Sequence, residues 1–103
     1  MLFRSGLDLS ENGLSGALPE TFGDLSQLRK MDISHNRLSG AVPDAWLGMT
    51  RLLNGELDLG YNRLSVPAGY PVVGNALHQF LVLKDPDWHL TQAKRLFLPG
   101  VLR

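Results

Sequence analysis

Apolar and polar residues alternate in three short bursts along this chain, and each burst leads into the same turn. Leu7 and Leu9 flank Asp8, Met31 and Ile33 flank Asp32, and Leu57 and Leu59 flank Asp58. Such alternation suits a short strand with one buried face. Three residues beyond each second apolar position stands an asparagine (Asn12, Asn36, Asn62), followed by Leu14, Leu38 and Leu64. Pro19, Pro43 and Pro67 close the pattern, preceded by Leu18, Val42 and Val66. The first apolar positions are separated by 24 and then 26 residues. A period in the twenties carrying this asparagine predicts stacked repeats.

A single three-residue strand cannot bury its apolar face alone, so neighbouring copies must stack and share a core. The chain then has to turn sharply away from the strand. An asparagine amide at the bend offers donors and acceptors to backbone groups that the turn leaves unpaired. Gly16 and Gly40 permit tight backbone there, and the prolines fix the return path. Three copies are expected, near residues 4–27, 28–51 and 52–69. The first is irregular at its start, where Arg4 takes the place of Leu28 and Leu52. The third is longer by two residues at "LLNGELDL", where Asn54-Gly55 predicts a small loop or bulge. It also lacks the Gly-Ala pair and runs directly into "LSVPAG", as a terminal copy does.

The segments "NGLSGALPETFGDLSQL" and "NRLSGAVPDAWLGMTRL" resemble leucine-rich repeats of the plant-like subtype, L-x-x-L-x-L-x-x-N-x-L-x-G-x-I-P. That subtype occurs in plant receptor ectodomains and in bacterial surface and secreted proteins. The resemblance covers residues 4–69. It implies an α/β solenoid with a short parallel sheet on a concave face and irregular or second-strand segments on the convex face. It also suggests a cell-surface or secreted parent.

Beyond "PAGYP" the period is lost, and residues 70–97 read as a helical C-terminal cap followed by a tail at 98–103. Asn75 is placed to cap a helix over "NALHQFLVLK", with Leu77, Phe80, Leu81 and Lys84 on one face. In "KDPDWHLTQAKRL", Asp85 is expected as a second N-cap, Pro86 as a first helical residue and Asp87 near the positive helix end. The stretch "FLVLKDPDWHLTQ" resembles the segment after the last repeat in some bacterial leucine-rich repeat proteins. Trp88 reads as a packing residue of this cap. No equivalent cover precedes the first copy. The N-terminal side is therefore expected to be an exposed edge, either joined to further repeats in a longer parent or open to edge-to-edge self-association.

Composition narrows the function more than it names it. Ten basic and ten acidic residues cancel, so nucleic acid, which asks for a basic stripe, is not an expected partner. There is no cysteine, which removes disulfides, cysteine-ligated zinc and thiol nucleophiles. The opening "MLFRSGLDLS" has no apolar core of signal-peptide length, and no stretch is long enough to span a bilayer. His35, His78 and His89 lack metal-ligand spacing, and no hydrolase elbow, phosphate loop or dinucleotide glycine motif occurs. His78 and His89 are expected as exposed helix residues. Neither a cofactor nor an enzymatic activity is expected.

What remains is a binding surface. The polar strand positions face outward in ladders: Gly6, Lys30, Glu56; then Asp8, Asp32, Asp58; then Ser10, Ser34, Gly60; then Glu11, His35, Tyr61. Carboxylates one strand apart, about 4.8 Å, repel by under about 1 kcal/mol in water and several-fold more near protein. Either Lys30, a cation or a basic partner offsets this, or water screening tolerates it. Expected contacts for a protein or peptide ligand are Lys30, Asp8, Asp32, Asp58, His35, Tyr61 and Glu56, with tyrosine suited to interface anchoring. The alternative is a structural role, closing the end of a longer repeat array without binding of its own.

Overall fold

The computed structural model describes residues 6–92. Arg4, the tail at 98–103 and the last residues of the expected cap, 93–97, lie outside them. Each of the first two copies contributes two short strands and a 3-10 turn. Copy one has β1 (Gly6–Asp8), β2 (Ser15–Ala17) and the turn η1 (Glu20–Asp24). Copy two has β3 (Lys30–Asp32), β4 (Arg37–Gly40) and the turn η2 (Asp44–Gly48). Copy three has β5 (Leu57–Asp58) and β6 (Arg63–Leu64). Two parallel sheets result, ordered β1-β3-β5 and β2-β4-β6.

The first sheet keeps the sequence columns in register, with Leu7 opposite Met31 and Met31 opposite Leu57. The second sheet does not. Ser15 pairs with Arg37 and Ser39 with Arg63, a slip of two residues from the columns that align the leucines. Gly16 and Gly40 sit at φ +94° and +84° in these return strands, a conformation that side chains with a Cβ resist.

The apolar columns meet in one core. Met31, Ile33, Leu38, Trp46, Met49, Leu57, Leu59 and Leu64 are all buried. Trp46, the buried residue of η2, donates its indole N–H to the carbonyl of Pro19 at 2.8 Å and stacks on Phe22 with ring centroids 5.9 Å apart. The two 3-10 turns approach so closely that a methyl group on Gly23 would overlap the backbone of Ala45. One on Gly48 would overlap the carbonyl of Gly23.

After the third copy comes the helix α1 (Ala76–Lys84), capped by Asn75, whose side chain accepts the His78 N–H at 3.0 Å. Leu77 and Leu81 are buried and Phe80 packs against the core. The two extra residues of copy three seat this helix. Asn54-Gly55 forms a turn with Gly55 at φ +78°. Gly55 donates its N–H to Leu83 at 3.1 Å, and Lys84 donates to the Leu52 carbonyl and the Asn54 side chain.

The expected second α-helix is replaced, among the described residues, by a single 3-10 turn, η3 (Trp88–Leu90). Asp85 ends α1 instead of opening another helix. Its carboxylate is drawn away to the sheet, where it accepts the Leu59 N–H at 2.7 Å. The chain from Asp85 to Gln92 then runs along the outer edge of copy three. Trp88 is buried and donates to the Tyr70 hydroxyl at 2.9 Å. His78 also differs from expectation, being buried rather than exposed, because its Nδ1 accepts the Val72 N–H at 2.8 Å and so keeps a partner away from water. His89 is half-buried against the Tyr70 ring.

Candidate functional site

The asparagine columns explain how the outward strip is held still. Asn36 accepts the N–H groups of Asn12 and Leu14 from the copy before it, each at 2.9 Å, and donates to the carbonyls of Leu9, Ile33 and Ser34. Asn62 repeats this one copy later, accepting from Leu38 and donating to Ile33, Leu59 and Gly60. Each amide thus ties its own turn to the neighbouring copy. Gln92 continues the column beyond the last repeat, accepting the Leu64 N–H at 2.9 Å and donating to Leu59 and Trp88.

On the solvent side of the β1-β3-β5 sheet, Asp8, Asp32 and Asp58 lie opposite one another as the columns predict. Their charge is engaged locally. Each Oδ1 accepts the backbone N–H two residues on, from Ser10, Ser34 and Gly60 at 2.9–3.0 Å. Ser10 and Ser34 add their hydroxyls at 2.7 and 2.6 Å. Hydrogen bonds to the ionised form, first from the Ser10 backbone and then from its hydroxyl, hold the Asp8 carboxyl below its ordinary range. The ladder therefore shapes the turn as well as the surface. In the first two copies its spacing, aspartate two residues before a serine, is visible in the sequence.

Lys30 reaches along the strip to Glu56 at 3.7 Å, both well exposed. Such a pair contributes little to stability. It leaves Lys30 as the neighbour of Glu56 rather than the main counter-charge of the aspartates. Among the described residues, no group of three or more His, Asp or Glu side chains is placed to hold a metal ion.

At the end of the strip, His35 and Tyr61 stack face to face, with centroids 4.5 Å apart and planes 11° from parallel. Both residues, and Glu11 before them, adopt left-handed backbone at φ 57–58°. Non-glycine residues pay about 1 kcal/mol or more for this. The left-handed turn swings the side chain clear of the strand, which is why Tyr61 stays 57% exposed. Beside it is a cleft of about 260 Å³ bordered by Asp58, Asp85, Asp87 and Thr91. Burial pushes the Asp85 carboxyl up to about 7, reinforced by the charges of Asp58 and Asp87 and opposed by the Leu59 N–H.

The seven surface residues expected from the ladders thus fall into three neighbouring groups: the aspartate column, the Lys30–Glu56 pair and the His35–Tyr61 stack. Sequence reasoning missed Asp85, Thr91 and Gln92, which complete the edge of the last strand. The signal available was the stretch "FLVLKDPDWHLTQ", which contains all three and reads as a cap rather than as part of the surface.

No curated protein matches the chain. The family model described as "Leucine rich repeat" matches residues 5–64. That match spans more than half of the 103 residues and the asparagine columns with both sheets. The chain belongs to the leucine-rich repeat family.

Proposed function

We propose that the chain is a protein- or peptide-binding module whose ligand lies along the outward, concave side of the β1-β3-β5 sheet. Leucine-rich repeats generally mediate protein–protein interaction and are typically non-enzymatic. The observation that carries the reading is the His35–Tyr61 stack. Two rings held by positive-φ turns offer a rigid aromatic surface, and its ordering is already complete before a ligand arrives. Lys30, Glu56, Asp8, Asp32 and Asp58 would supply the polar rim around it.

Peptides selected from a random display library on the folded chain test this. Binders should lose at least about tenfold in affinity against H35A/Y61A, with the far-UV spectrum and melting unchanged in kind. Equal binding to the double variant would sink the reading.

A second reading, the structural one, is favoured by the first copy. Leu14 is 38% exposed, whereas Leu38 and Leu64 in the same column are 6% and 4% exposed. An apolar hollow of about 190 Å³ opens there between Leu9, Leu14, Leu18 and Phe22. Under this reading residues 70–92 close one end of a repeat stack, and the β1 side accepts another repeat edge or a second copy. Light scattering on a sizing column decides the self-association part. A concentration-dependent dimer that L14K converts to monomer supports it, and a monomer at every concentration counts against it.

A further inference from the structure

A second cleft lies off the outward strip, on the side of the return strands β4 and β6. It encloses about 450 Å³ between the start of β4, the start of β6 and the segment after η3. Arg37 and Arg63 both line it, from equivalent positions directly after Asn36 and Asn62. Among the described residues, no carboxylate borders the cleft. Neither guanidinium has an ion pair or side-chain hydrogen bond among the described residues, where Lys30–Glu56 is the salt bridge formed. In a chain with equal numbers of acids and bases, two arginines are thus left together while the acids collect on the neighbouring face.

The other walls are those of an interaction surface. Tyr61 borders this cleft as well as the acidic one, and Leu90, which also lines it, is 73% exposed. Arginine and tyrosine are the residues that interface centres favour, and an exposed leucine adds apolar area. The asparagine and glutamine amides in the floor are committed to the repeat column, so they fix the walls without competing for a ligand. A guanidinium presents a rigid fork of donors that matches a carboxylate in two parallel bonds.

We infer that this cleft is a second binding site, which takes a partner protein's acidic segment: carboxylates between Arg37 and Arg63, with an apolar side chain over Leu90 and Tyr61. The site goes beyond the strip on the β1-β3-β5 sheet and shares only Tyr61 with it. Failure of one is distinguishable from failure of the other, because R37E/R63E leaves His35 and the strip untouched.

The test is a titration of the isotope-labelled chain followed by amide chemical shifts. The probes are a peptide of alternating glutamate and leucine, the same peptide with glutamine for glutamate, and inorganic phosphate. The expected result is a saturable shift at Tyr61, Arg63, Thr91 and Gln92 with the glutamate peptide, weakened at least about tenfold by R37E/R63E. R37K/R63K, which keeps the charge and loses the fork, should give an intermediate loss. Three outcomes overturn the inference. One is a shift that does not saturate or spreads equally to Arg29 and Arg51, which is general charge attraction. Another is undiminished binding in R37E/R63E. The third is phosphate bound as tightly as the peptide, which makes the cleft a free-oxyanion site.

Discussion

The two edges of the repeat stack are built from the same columns and end in opposite ways. At the far edge, the strand groups that would meet a fourth copy have found substitutes. In the interior, Leu9 and Ile33 donate to the backbone carbonyls of Asp32 and Asp58; at the edge, Leu59 donates to the side chain of Asp85. Glu11 and His35 donate to the carbonyls of Ser34 and Gly60, and Tyr61 to that of Thr91. Asn36 and Asn62 tie copies together, and Gln92 plays the same part from outside the three copies. At the near edge, Asn12 is exposed and its side-chain amide donates to Ser10 in its own turn, with no bond from that amide to a neighbouring copy among the described residues. A repeat is therefore not a fixed quantity of stability. What a column residue contributes depends on whether a neighbour stands on both sides of it.

The largest expected effect tests this directly. N62A removes four hydrogen bonds and leaves the Leu38 N–H and three carbonyls without that partner in a buried site. At about 1–3 kcal/mol for a buried group left unsatisfied, a loss of roughly 4 kcal/mol is expected. N12A, the same change in the first copy, should cost under about 1 kcal/mol. Q92A should fall between, near about 2 kcal/mol, with three bonds lost. Urea midpoints at constant m-value measure all three. Equal costs for N12A and N62A would break the comparison.

Next in size is the proton at the far edge. The Asp85 carboxyl is raised from 3.8 to about 7 in the fold. Between those values the folded chain holds a proton that the unfolded chain has released. The stabilisation is thus complete below the unfolded value and lost as pH rises through about 7. The far edge should loosen from pH 5 to pH 8, seen as a fall of roughly 5 °C in Tm and faster exchange of the Leu59 amide. D85N keeps an acceptor for Leu59 and should flatten the profile. A wild-type Tm that rises over the same interval would contradict the placement of Asp85 between Asp58 and Asp87.

How far the sequence carries can be judged at particular residues. The strand columns, the asparagines and the register of Leu7, Met31 and Leu57 are legible because burial recurs at a fixed period, and a period needs no structure to be read. Asp85 and Gln92 are not legible that way. A carboxylate standing in for a backbone carbonyl has no periodic counterpart. Gln92 follows Asn62 by 30 residues and enters the column from outside the period. The aspartates show an intermediate case. Their alignment is plain from the sequence, but read as charges alone they predict repulsion. The hydrogen bonds to Ser10, Ser34 and Gly60 emerge only when the turn is folded. The two-residue slip of the second sheet has no marker in the columns at all.

The smallest effect is the most discriminating for the candidate surface. Glu11, His35 and Tyr61 share one left-handed conformation, but only the last two share a ring contact. Glycine at any of them relieves backbone strain of about 1 kcal/mol, while the freer unfolded chain takes back about 0.4–1 kcal/mol. E11G should therefore be close to neutral or slightly stabilising. H35G gains and loses the same backbone contributions, and in addition it loses the stack, worth about 0.5–1.5 kcal/mol. Subtracting E11G from H35G cancels the backbone and leaves the ring contact, so a difference near about 1 kcal/mol is expected. A difference near zero would mean that the rings lie together without holding each other. Tyr61 would then owe its position to the turn alone.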